Sequence, residues 1–156
     1  MALSDTDATP EQQILDRAFE SLLTGTPRVI TGVGSLEMSE RCIEVPWAAA
    51  LLKDSKSILD IGFSMSPPEW MGVLLRVQES NTDLVGIDII DPTRVKSRYR
   101  ADQVEAVMKV QVRVEDFLSA RSDGSLFETV ACISTLEHIG FDKATDPSNT
   151  KSVFAR

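Results

Sequence analysis

Ser57-Ile-Leu-Asp-Ile-Gly-Phe-Ser64 is an apolar run that closes on an acid and turns at a glycine. Two further acids follow at the same interval. Asp88 closes Leu84-Val-Gly-Ile-Asp88, and Asp116 closes Val110-Gln-Val-Arg-Val-Glu-Asp116, so residues 60, 88 and 116 stand 28 apart. That interval suits one strand, one crossover helix and the approach to the next parallel strand. A fourth apolar run, Phe127 to Gly140, turns polar at its far end. Short β-branched runs alternating with helical stretches predict an α/β domain with a doubly wound, mostly parallel sheet. In such sheets, side chains beyond the carboxyl ends of the strands line the binding crevice.

The intervening segments carry helix signals. Thr9-Pro10-Glu11-Gln12 offers a hydroxyl cap followed by proline in the first turn. Ile14, Leu15, Ala18, Phe19 and Leu22 then recur at helical spacing, predicting an amphipathic helix to about Leu23, ended by Gly25-Thr26-Pro27. A second helix is expected from near Pro46 to Lys53, and a third from Ser66-Pro67-Pro68-Glu69 to near Ser80. Asp91-Pro92 opens a fourth, expected to run to about Met108. The strands are expected over 57–61, 84–89, 110–114 and 129–134. Residues 1–8 read as a disordered leader, 28–38 as a mobile loop, and 9–156 as a single domain.

Composition narrows the function classes. With 42% hydrophobic and 26% charged residues, the chain has the balance of an ordinary globular domain. A net charge of −8 argues against extensive binding to nucleic-acid phosphates. Arg94, Lys96, Arg98 and Arg100 form the one local basic run, read as a solvated face or a patch attracting an anionic substrate. One histidine and two cysteines, Cys42 and Cys132, without a paired-cysteine motif, give no expectation of a metal site or a disulfide framework. Cys132, inside an apolar run, reads as a small buried hydrophobe. No apolar stretch approaches a membrane span. The polar, acidic start MALSDTDATPEQQ lacks a secretory pattern, so the expected compartment is cytoplasmic.

The order of these motifs resembles the class I S-adenosylmethionine-dependent methyltransferases across residues 45 to 142. Asp60-Ile61-Gly62 corresponds to that family's acid and glycine turn after the first strand, Asp88 to its ribose-binding acid, and Asp116 to its adenine-contacting acid. Leu136-Glu137-His138 corresponds to the family's sequence after the fourth strand. The resemblance implies a Rossmann-like methyltransferase fold that binds S-adenosylmethionine through Asp60, Gly62, Ser64, Asp88 and Asp116. It also implies a small-molecule acceptor, with His138 as a candidate base. Ser64 and Ser66 stand where the family's later glycines fall, and their hydroxyls would serve a ligand carboxylate. Residues 141–156 are too few for the family's last three strands, so the fold is expected to be incomplete at its carboxyl end. The open sheet edge left there would invite a second copy to pair as a homodimer.

Plainer roles stand beside these. Acids just past strands also cap the next turn, Asp60 would order its own turn, and Glu137 would complement a helix dipole. Trp47 and Trp70 read as packing residues, with Trp47 also a potential pocket wall. The competing functional class is a non-catalytic module of the same fold that binds a nucleoside or a protein partner. A nicotinamide-dependent dehydrogenase is disfavoured, because G-x-G-x-x-G does not follow the first strand.

Overall fold

The structure, a computed structural model, describes residues 8–31, 39–120, 124–133 and 135. Four strands, β1 (Ser57–Ile61), β2 (Asp83–Asp88), β3 (Gln111–Val114) and β4 (Thr129–Ala131), form one sheet in the order β3-β2-β1-β4. All three pairings are parallel, with Asp60 beside Gly86 and Asp88 beside Val114. The helices are α1 (Pro10–Thr24), α2 (Arg41–Leu51), α3 (Pro68–Glu79) and the single turn α4 (Val104–Val107). A parallel sheet flanked by helices is consistent with a Rossmann-like fold.

The α1 boundary follows from its capping chemistry. The Thr9 side chain accepts from the Gln12 amide, Pro10 occupies the first turn, and the Gly25 amide closes on the Ser21 carbonyl. α2 departs from expectation, starting five residues before Pro46 rather than at it. An interior proline withdraws the amide that would bond the carbonyl four residues back, here that of Cys42. The Ile30 amide takes that carbonyl instead, at 3.0 Å. The defect is repaired by a distant stretch of chain, which sequence spacing does not reveal.

The expected fourth helix is replaced by a 3₁₀ segment (Pro92–Arg98) and α4. Val95 breaks the helix with φ −121° and ψ 21°. The region is instead held to the start of α3, where Gln103 Nε2 donates to the Pro68 carbonyl, and to the turn after β1, where the Tyr99 hydroxyl donates to the Ser64 carbonyl. β4 ends at Ala131, so Cys132 lies past the strand and is only half-buried, unlike its expected burial. Among the described residues no helix lies between β3 and β4, and none is long and apolar enough to cross a membrane.

The core sits between the sheet and the helices. Ile58 and Leu84 from the strands meet Trp70, Met71, Val73 and Leu74 of α3, with Val45 and Ala49 of α2 and Ile14 and Ala18 of α1 behind them. At about 25 cal/mol per Å² of apolar surface, each of the buried Val, Leu, Ile and Met side chains among these contributes roughly 1.5–3 kcal/mol on burial. One close approach shapes the sheet. A β-carbon on Gly86 would stand 2.6 Å from Phe63 Cγ, so the absent side chain lets the phenyl ring lie against β2.

Candidate site at the carboxyl rim of the sheet

β1 and β2 end side by side, and the chain leaves β1 through Gly62, at φ 85°, into a single 3₁₀ turn (Phe63–Met65). That positive φ costs glycine little and any other residue appreciably more. The Gly62 amide bonds the Ile87 carbonyl at 2.8 Å, and the Glu115 amide bonds the Asp88 carbonyl at 2.8 Å. These bonds hold the exits of β1, β2 and β3 along one rim. The bare face of Gly62 is not open, because a β-carbon there would run into the Thr135 side chain.

Asp60 is 0% exposed. Its Oδ1 accepts from Trp70 Nε1 at 2.8 Å and its Oδ2 from Ser66 Oγ at 3.3 Å. Ser66 therefore serves the strand acid rather than capping α3, whose cap position is Pro67. Burial pushes the Asp60 carboxyl up to about 7; the two hydrogen bonds oppose that rise and the charge of Asp88 adds to it.

Asp88 is almost fully buried. One oxygen accepts from the Ser64 amide and the other from the Ile90 amide, both at 2.9 Å. Burial raises its pKa, against the pull of these amides. The Ser64 hydroxyl donates to the Ile90 carbonyl at 2.6 Å, directed at the protein's own backbone. Tyr99 completes the knot through its bond to Ser64, and burial together with the Asp88 charge pushes its phenol up to about 12.

Asp116 behaves differently. It is exposed two residues beyond β3, with Oδ1 accepting from the Leu118 amide at 3.0 Å. The fold thus brings Asp60, Gly62, Ser64 and Asp88 into one internally bonded cluster and leaves Asp116 in solvent at the neighbouring strand end. His138 and Glu137 lie outside the described residues.

Sequence reasoning missed the apolar side chains of this rim. Met65 after β1, Ile89 after β2, and Phe117 and Leu118 after β3 are all exposed, Ile89 at 57%. Exposed apolar groups thus adjoin the strand-end acids along this rim. The available signal was their position: Ile89, Phe117 and Leu118 stand one or two residues past an acid, and Met65 three past Gly62.

Elsewhere, Trp70 packs in the core as expected. Trp47, expected to pack, instead lies exposed on α2 beside Ile43 and Leu51 and lines an open groove with Glu40 and Glu44, because its side of the helix has no element over it among the described residues. The basic run from Arg94 to Arg100 is solvent-facing, with Arg100 paired to Asp102 at 3.1 Å. Among the described residues no group of three or more His, Cys, Asp or Glu side chains is arranged to hold a metal. Compared with protein-family models, curated proteins and solved structures, the chain matches none.

Proposed function

We propose that the carboxyl rim binds the adenosyl end of S-adenosylmethionine, and that the chain is built on the first four strands of a methyltransferase-like domain. The observation that carries this reading is the parallel order β3-β2-β1-β4, which aligns the exits of three acid-bearing strands beside the exposed Met65, Ile89, Phe117 and Leu118. In this reading Ile89 and Leu118 cover the faces of an adenine, and Asp116 accepts from its exocyclic amine. Asp88 would exchange one backbone amide for a ribose hydroxyl. Asp60 orders the turn and stays out of ligand contact, because it is wholly buried. When bound, the donor supplies an electrophilic methyl on a sulfonium. The residues named here bind and orient it, and in-line geometry with exclusion of water accounts for such a transfer. The acceptor is a small molecule in this proposal, and His138 is the candidate base.

A second reading, a nucleoside-binding or interaction module without catalysis, is favoured by two specific features. Both Asp88 oxygens are already satisfied by backbone amides, and Thr135 closes the approach to Gly62. Calorimetric titration with S-adenosylmethionine, S-adenosylhomocysteine and NAD separates the readings. Saturable binding of the first two, weakened at least tenfold by Asp116→Ala or Ile89→Asp, supports the adenosyl site. Heat-silent titrations with all three reject it. Methyl transfer to a panel of small nucleophiles then distinguishes an enzyme from a binding module.

A further inference from the structure

α2 is apolar on two sides. Its inner side, with Cys42, Val45, Ala49 and Leu52, is buried in the core against α1 and α3. On its outer side Ile43, Trp47 and Leu51 recur every four residues and are 52%, 53% and 58% exposed. An amphipathic helix normally carries charged and polar residues there. α1 does so, with Asp16, Arg17 and Glu20 facing solvent. A helix that is apolar all round is normally covered on every side, and among the described residues nothing lies over this stripe. At its amino end the stripe opens into the groove that Ile43 and Trp47 form with Glu40 and Glu44. The surface therefore has an apolar part and an acidic part.

Charge narrows what can cover it. A second copy matches the apolar part alone. In an antiparallel two-fold pairing centred on Trp47, Ile43 meets Leu51, but Glu40 meets Asp54 and Arg41 meets Lys53. Like charges then face each other at both ends, and each copy brings a net charge of −8. An anionic membrane surface meets the same two glutamates and is repelled by them. A helix with leucine-like side chains along one row and lysine or arginine along its edge satisfies both parts. Its apolar row matches the four-residue spacing of Ile43, Trp47 and Leu51. Its cations meet the carboxylates of Glu40 and Glu44 and the indole face of Trp47.

We propose that the outer face of α2 is a docking surface for a basic amphipathic helix of a protein partner, seated on Ile43, Trp47 and Leu51 with its cations at Glu40 and Glu44. The two glutamates also suit the positive end of the α2 dipole, so the test reads binding rather than stability. None of these residues belongs to the carboxyl rim, and the surface is independent of what binds there.

The probe is a fluorescein-labelled leucine–lysine peptide patterned as an amphipathic helix, and its control carries glutamate in place of lysine. Fluorescence anisotropy is expected to show saturable binding of the lysine peptide, weakening with added salt, and none of the glutamate peptide. With unlabelled peptide, indole emission should shift to the blue, because Trp47 is exposed and becomes covered while Trp70 is already buried. Trp47→Asp and the double variant Glu40→Lys, Glu44→Lys are each expected to weaken binding at least about tenfold. Glu105→Lys, which reverses an exposed acid of α4, should leave it unchanged. Circular dichroism checks that each variant is folded, and should Trp47→Asp not fold, the double variant decides alone. No saturable binding of the lysine peptide overturns the proposal, as does equal binding of the glutamate peptide or equal weakening in Glu105→Lys. Sedimentation showing a dimer that Trp47→Asp abolishes assigns the face to a second copy and overturns it too. So does Trp47-dependent binding to phosphatidylserine vesicles, which assigns the face to a membrane.

Discussion

Trp70 is the residue through which α3 is tied to the β1 exit, and Trp70→Phe tests that tie quantitatively. The side chain is 0% exposed, and its Nε1 donates at 2.8 Å to a carboxyl that is itself wholly buried. Phenylalanine keeps an aromatic ring in the core but has no donor. Leaving a buried acceptor without its partner costs about 1–3 kcal/mol. The smaller ring leaves a void of roughly 30–40 Å³, which at about 24 cal/mol per Å³ adds close to 1 kcal/mol. The expected loss is therefore about 2–4 kcal/mol, a large part of the 5–15 kcal/mol typical of a domain. With a urea m-value of about 2 kcal/mol per M, the unfolding midpoint should fall by about 1–2 M at unchanged slope. The loss should be greater at pH 8.5 than at pH 5.5, because an ionised acceptor makes the stronger bond to the indole. A loss below about 1 kcal/mol, or one larger at acid pH, would refute the assignment of Trp70 as the buried donor that secures Asp60.

Three further outcomes follow from the same geometry. Gly86→Ala places a β-carbon 2.6 Å from Phe63 Cγ and 2.7 Å from Phe63 Cβ. Overpacking of that kind costs about 1–3 kcal/mol, and a calorimetric Tm lowered by less than about 2 °C would contradict it. Gly62→Ala combines φ 85° with the Thr135 contact and is expected to destabilise by at least about 1 kcal/mol in urea, whereas wild-type stability would show that the turn relaxes freely. The Asp60 carboxyl sits at about 7 when folded against 3.8 as its ordinary value, so the folded chain holds a proton the unfolded chain has released. Its contribution is fully present below about pH 4 and is lost as pH rises through 7, with an upper bound of about 4 kcal/mol. The difference in stability between wild type and Asp60→Asn, measured by urea from pH 4 to 8, should shift in the variant's favour with rising pH, and a shift the other way contradicts the assignment.

Several elements could be placed from the chain alone because their causes are local. β1 was expected over 57–61 and lies at Ser57–Ile61, its apolar run bounded by turn formers on both sides. α1 was delimited by its Thr9 cap and Gly25, and the prolines ahead of Glu69 mark the start of α3. Asp60 falls one residue before the end of β1, Asp88 at the end of β2 and Asp116 two residues beyond β3, because strand spacing is written in the alternation of apolar runs and turns. Where a distant partner sets the outcome, that reading ran short. Pro46 suggested a helix start, but Ile30 takes up the stranded Cys42 carbonyl and the helix passes through the proline. Asp91-Pro92 suggested a long helix, but Tyr99 and Gln103 anchor that segment to Ser64 and Pro68 and break it into short turns.

The same division runs through the site. Amino-acid order alone established that carboxylates and a glycine recur at the ends of parallel-type strands, because that pattern depends only on local propensity and length. Which carboxylates face solvent was decided by tertiary contacts. Asp60 is sealed by Trp70 and Ser66, Asp88 by amides of residues 64 and 90, and only Asp116 stays exposed. Three chemically identical side chains differ in availability because desolvation and hydrogen-bond saturation depend on partners up to 24 residues away in the chain, as the bond from the Ser64 amide to Asp88 shows.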